Sequence, residues 1–235
     1  IFFNMFGYIT FDYSGNYVGI CQCENCKRRF REMYGEELPV KENLEDPVFI
    51  KYIDFKKKTV DEMLTKIHNL ARSINPDCAV STYATTGVDI VRNESNSAVD
   101  RPLPFWIYNS SDNVGEIEGS YEDKICSNCC INAVDLPYRF MGVSDQLNQI
   151  RMYGDLANGG TLDWCIIGNF DDYPDRENFD SVRKIFHYHK QYEQYYGHFS
   201  PKTKIMLVKE GDRRELCAEY RGIFRMLKET HLQFT

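Results

Sequence analysis

Three cysteines crowd one short segment, Cys21-Gln22-Cys23-Glu24-Asn25-Cys26. Thiolates this close repel one another unless protons or a soft cation neutralise them. The Cys-x-Cys-x2-Cys spacing lets all three wrap one metal, with the last two bridging a tight turn into a helix. Zinc in a structural role is the expected ion, and tetrahedral zinc takes four ligands. Within the chain the candidates for the fourth are Cys78 and the Cys126, Cys129, Cys130 group, which holds a second Cys-x2-Cys. The cysteines number nine, an odd and clustered set. They point to reduced thiols, metal-bound or buried, and so to a cytoplasmic, reducing compartment rather than to a paired disulfide framework.

The elements that must position such groups alternate along the chain. Short β-rich runs are read at 2–6, 79–83, 104–108, 129–134, 162–170 and 205–208, each followed by apolar residues at helical spacing. Asp46-Pro47, a capping Asp before a Pro at the first helical position, opens the clearest helix, which carries Ile50, Ile53, Val60, Met63, Leu64, Ile67, Leu70, Ala71 and Ile74 and should end near Asn75-Pro76. Others run from Glu24 to Gly35 through Phe30, Met33 and Tyr34, from Ser144 to Asn158 through Leu147, Ile150, Leu156 and Ala157, and over 175–196 through Phe179, Val182, Ile185, Phe186 and Tyr192. Strand alternating with helix implies parallel α/β. A (β/α)8 barrel takes eight units in about 250 residues, so residues 1–198 hold five, too few to close. Either the sheet is open and doubly wound, or three strands precede Ile1. Ile1 lies inside an apolar run with no initiator Met and no signal-peptide shape, which reads as a piece of a longer chain. After Gly197 to Pro201 a strand at 204–209 and a helix from about Glu215, bearing Leu216, Tyr220, Ile223, Phe224 and Leu227, read as the start of a second domain.

Composition narrows the partners. The 235 residues carry 28 Lys plus Arg against 35 Asp plus Glu, a formal net charge of −7, with 43% hydrophobic residues, an ordinary globular balance. The acidic excess argues against nucleic acid and against an anionic membrane surface, and no stretch approaches the roughly 20 apolar residues of a membrane helix. Gly159-Gly160 is a helix stop without the further glycines of a nucleotide loop. No Gly-x-Ser-x-Gly elbow is present, which disfavours an α/β-hydrolase.

Ile1-Phe2-Phe3-Asn4 with Gly7-Tyr8, then Cys-x-Cys-x2-Cys-x3-Phe and a short helix, resembles family 42 of the glycoside hydrolases, and more closely the hypothetical glycosyl hydrolases allied to it. Leu156-Ala157-Asn158-Gly159-Gly160 before Leu162-Asp163-Trp164 is similar to the segment leading into the family's last barrel strand. Lys204 to Val208 with Tyr220-Arg221-Gly222 is similar to the start of its flavodoxin-like trimerisation domain. The resemblance implies strands four to eight of a (β/α)8 TIM barrel in residues 1–198, and the start of a flavodoxin-like α/β domain in 199–235. It also implies a β-galactosidase-like activity on a glycan or glycoside in carbohydrate metabolism, a structural zinc on Cys21, Cys23 and Cys26 with its fourth Cys upstream of Ile1, and a homo-oligomer, a trimer in the relatives. A half-built second domain would also leave Ile223, Phe224 and Leu227 uncovered, a second reason to expect self-association.

A retaining glycosidase needs a proton-donating acid and a nucleophile, two carboxylates about 5 Å apart. The family's acid is a Glu directly after the Asn of strand four, where this chain has Met5, and a thioether donates no proton. Barrel sites gather at the C-terminal strand ends. The residues expected there are Asn4, Tyr83, Arg92, Tyr108, Asp112 and Arg139 for substrate hydroxyls, within a polar rim that also includes Asn109, Asn113, Asn169 and Asp171. Glu94 and Asp135, from the dense patches Arg92 to Asn96 and Asp135 to Arg139, are the replacement catalytic pair, with Arg139 expected to pair with Asp135. Two other classes stay open: a carbohydrate-binding barrel that has lost its acid, and a zinc-ribbon interaction module.

Overall fold

Asp46 begins the longest helix as expected, its carboxylate accepting the Val48 N–H at 2.9 Å, with Pro47 just behind it. This computed structural model describes residues 1–12, 15–197, 199–209 and 214–235, without the side chains of 214–217. The chain divides into two units, Ile1–Val88 and Asp89–Thr235, so the boundary expected at 198/199 falls inside the second. The side chain of Leu216 lies outside the described residues.

The first unit holds α1 (Glu24–Tyr34), α2 (Pro47–Ile74) and the short β1 (Ser81–Thr82). Gly35 stops α1 in the left-handed region at φ 70°, returning its N–H to the Arg31 carbonyl at 2.8 Å. Phe30 of α1 packs edge-on against Phe55 of α2, and with Ile20, Leu38, Phe49 and Tyr52 they form the core. The buried face of α2 differs from the expected one: Ile50, Ile53, Met63, Leu70 and Ile74 are exposed, while Leu64, Ala71 and the aromatics go inside. Aromatic rings remove more apolar area from water than the aliphatic stripe, so the face bearing them takes the partner helix. The expected strand at 2–6 shrinks to a parallel bridge between Phe2 and Ser81, because Met5 at φ 54° and Gly7 at φ 133° leave the extended region. Gly87 is required where it stands: at φ 66° a Cβ there would lie 2.7 Å from the backbone of Leu64 and Thr65.

The second unit runs β2 (Ile90–Ser95), α3 (Leu103–Ser120), β3 (Ile125–Ile131), α4 (Asp145–Ala157), β4 (Thr161–Cys165), α5 (Phe179–Tyr192) and α6 (Arg214–Glu229). The strands are parallel and neighbours in sequence order, with Glu94 beside Cys129 and Cys129 beside Asp163. This is a mixed α/β fold, with the strand–helix repeat that an arc of a (β/α)8 barrel has. Three expectations fail here. Residues 104–108 belong to α3: Pro102 and Pro104 sit at its start, where a missing N–H is harmless, and Phe105, Trp106 and Tyr108 misled by their β propensity. The segment Arg92 to Ser95, expected as loop, makes up the last four residues of β2. At 204–209 there is no strand, although Ile205 and Leu207 exchange backbone hydrogen bonds with Thr235. Phe224 and Leu227 of α6 are buried within the unit, Phe224 against the Phe234 ring at 5.2 Å, and only Ile223 of the expected apolar trio is exposed.

The helix-covered face of this sheet is polar at its centre. Arg151 and Asp155 of α4 are fully buried. Asp155 accepts from Ser110, from Asn128 at 2.9 Å and from the Cys130 thiol at 3.2 Å, and Asn128 is tied in turn to Ser95. Burial pushes the Asp155 carboxyl up to about 7, against those hydrogen bonds and the Arg151 charge, which pull it down. A carboxyl whose folded pKa exceeds its unfolded one stabilises fully below about pH 4 and loses that contribution as pH rises through 7. Asp155→Asn should therefore gain on the wild type by roughly 2–4 kcal/mol between pH 4.5 and 8 in urea unfolding. Parallel stability profiles would contradict this.

Candidate functional site

Side chains alternate across a strand, so the register sorts the second unit's sheet into two faces. Asn93, Ser95, Asn128 and Cys130 point to α3 and α4, where they find their partners. Arg92, Glu94, Cys129, Asp163 and Cys165 lie on the other face. There the Arg92 guanidinium joins two carboxylates, Nη1 at 3.0 Å from Glu94 Oε1 and Nε at 2.9 Å from Asp163 Oδ2, across three strands. Arg92 is 14% exposed, Glu94 32% and Asp163 29%, so the carboxylates stand open above a guanidinium held beneath them. Asn96 Nδ2 adds a 3.3 Å bond to Glu94 Oε2. Beside them the Cys165 thiol is brought down to about 7, chiefly by a hydrogen bond from Cys129 and secondarily by Arg92, while burial opposes the shift. Cys129 is correspondingly pushed up by that bond and by burial. Open carboxylate oxygens fixed by one guanidinium can accept hydrogen bonds from a polyhydroxylated ligand.

Of the residues expected at the site, the structure therefore brings Arg92 and Glu94 together and adds Asp163. Asp135 lies past the end of β3, its Oδ2 taking the Val99 N–H at 2.9 Å and its Oδ1 the Leu136 N–H at 2.6 Å. The expected ion pair is absent: the Arg139 guanidinium lies over the Phe140 ring at 5.0 Å, because two backbone N–H groups already hold the Asp135 carboxylate. Tyr108 and Asp112 are on α3, not at a strand end, with Tyr108 donating to Glu229 at 3.2 Å and Asp112 accepting from Tyr220 at 2.6 Å. In the first unit, Tyr83 donates to Asn4 Oδ1 at 3.1 Å. The sequence places Asp163 inside the strand read at 162–170 and assigns it no role at the site. The usable signal was its place in a short alternating run, opposite in pattern to Leu162 and Trp164.

The first unit carries the thiol cluster. The sulfurs of Cys21, Cys23 and Cys26 all lie within 4.8 Å of one another, a donor set that could hold a soft metal ion. Cys23 immediately precedes α1, and Cys26, in its first turn, packs against the aromatic core. The Cys26 backbone N–H, helped by both neighbouring thiols, lowers the Cys23 thiol below its ordinary value, whereas burial first and the neighbouring thiols second push Cys26 up to about 12. Among the described residues no fourth Cys, His, Asp or Glu joins them. Cys126, Cys129 and Cys130 are buried within β3 and split between its two faces, so they form no Cys-x2-Cys ligand pair.

No family model and no curated protein sequence matches the chain. Among solved structures it is similar to bee venom hyaluronidase, at 10% identity and a TM-score of 0.45, over 72% of this chain and 61% of that one. The chain thus spans less than two thirds of that protein's length. No helix among the described residues is long and apolar enough to cross a membrane.

The unequal thiols give a direct test. In metal-free protein at pH 7.5, iodoacetamide should label Cys23 before Cys26, as read by peptide mass spectrometry, because the thiolate is the nucleophile. Added Zn2+ should protect all three sites together; independent labelling of the three in excess Zn2+ would show that they hold no common ion.

Proposed function

We propose that this chain is part of a glycoside hydrolase-like barrel protein allied to family 42, acting on a glycan or glycoside, with a structural zinc on Cys21, Cys23 and Cys26. The observation that carries this reading is the Glu94–Arg92–Asp163 group on the helix-free face of a parallel sheet, the side that faces the interior when such strands close into a barrel. Zinc suits three thiolates at a helix start and would tie the loop before α1 to the aromatic core through Cys26. In this reading Glu94 and Asp135 are the retaining pair, Arg92 sets the orientation of Glu94, and Arg139 contacts sugar hydroxyls. The trimer expected by resemblance is proposed on that ground alone, since Phe224 and Leu227 are already covered.

Met5 supports a second reading, a carbohydrate-binding barrel without turnover. It stands where the family's acid would be, at φ 54° and exposed, and offers no proton. The full-length protein, assayed against a panel of aryl glycosides and a glycan-binding array, separates the two. Hydrolysis that falls about a thousandfold or more in Glu94→Gln and Asp135→Asn, with melting unchanged, supports the enzyme. Binding without hydrolysis supports the second reading. A chain that neither binds nor cleaves glycans, or that holds less than one zinc per chain by elemental analysis, contradicts the corresponding part.

A further inference from the structure

Asp163 is the carboxylate of the sheet face that a two-carboxylate mechanism leaves over. With Glu94 and Asp135 as acid and nucleophile the chemistry asks nothing of it, yet it stands beside Cys129 in the register and shares Arg92 with Glu94. Its Oδ2 takes the Arg92 Nε–H at 2.9 Å. Its Oδ1 has no hydrogen-bond partner among the described residues and is not among the buried oxygens, in a side chain 29% exposed. A ligand can reach it.

The charge around that oxygen is unbalanced. One guanidinium serves two carboxylates, and the thiols beside Asp163 on this face, Cys129 across the register and Cys165 two residues on, bring no positive charge. Asp135 and Arg139, the other charged residues assigned to the site, carry one charge of each sign and leave the negative excess as it is. A neutral sugar laid over Asp163 takes an incompletely compensated carboxylate out of water, a cost that one hydroxyl bond offsets poorly. An ammonium group brings the missing charge together with three donors, and a charge-assisted hydrogen bond is about twice as strong as a neutral one.

We propose that the glycan or glycoside taken by this face carries an unacetylated amino sugar, its ammonium group on Asp163 Oδ1. The inference rests on the reading of the face as a sugar site and names the substrate class within it. Acetylation of the amine removes the charge that Asp163 calls for. A uronic acid adds a charge of the wrong sign beside Glu94 and Asp163. Both are therefore disfavoured.

Calorimetric titration of the full-length protein at about pH 6, where such an amine is protonated, tests it. The probes are glucosamine and galactosamine, the parent hexoses, the two N-acetyl derivatives and glucuronate. We expect one of the two amines to bind about tenfold tighter than its parent hexose and its N-acetyl derivative, with glucuronate weakest. The preference should shrink as salt is raised. Asp163→Asn keeps an acceptor for Arg92 Nε and should bring the ratio of amine to hexose affinity to about one. A hexose or N-acetyl sugar that binds as tightly as the amine overturns the inference and leaves the sugar-site reading standing. So does a preference that survives in a folded Asp163→Asn protein, since the amine is then held elsewhere. If none of the sugars binds, the sugar-site reading fails and the inference with it. The comparison of ligands on the wild type decides the matter even if Asp163→Asn does not fold.

Discussion

The second unit is organised around one buried cation. Arg151, in the middle of α4, is wholly removed from solvent, and a guanidinium in that position is tolerated only when its donors are met. Its Nε goes to the Trp106 carbonyl at 2.8 Å, its Nη1 to the Ser95 carbonyl at 3.3 Å and its Nη2 to the Ser97 hydroxyl at 2.8 Å. One side chain thus ties α4 to α3 and to the last residue of β2. A one-residue slip of β2 would strand the Nη1 and Nη2 donors and turn every side chain of the strand to the opposite face.

The same register sorts the side chains of the sheet. With the Ser95 hydroxyl held by Asn128 on the helix side, Glu94 and Arg92 lie on the other face, and the register sets Asp163 beside them. The strand pairing divides the polar residues by role. On the helix side Asn128 of β3 bonds to Asn113 of α3 and Asp155 of α4 and locks the layers; the polar residues on the far face keep partly open oxygens. The thiol cluster is independent of this, because it is built from six consecutive residues at a helix start and requires only that α1 form.

What was legible in the sequence follows the same division. The cap of α2 by Asp46, the stop of α1 at Gly35 and the start of α4 at Ser144 are local events, and the structure has all three. The convergence of Cys21, Cys23 and Cys26 is local as well. By contrast, β2 carries only two apolar residues before Arg92-Asn93-Glu94-Ser95, so its pattern reads as loop until Arg151 and Asn128 supply partners from distant elements. The buried face of α4 was missed for the same reason: Asn148, Arg151 and Asp155 occupy the positions where apolar residues are sought. In α3 aromatic β propensity lost to burial of Val114 and Ile117.

The central claim is that the helix-free face of this sheet, set by the register of β2, is where a ligand is held. An experimental structure of the full-length protein soaked with a simple hexose tests it most directly. The account predicts sugar hydroxyls within about 3 Å of the Glu94 or Asp163 carboxylate oxygens, on the face away from α3 and α4. A sugar bound elsewhere, with that face closed over by apolar side chains, would contradict it.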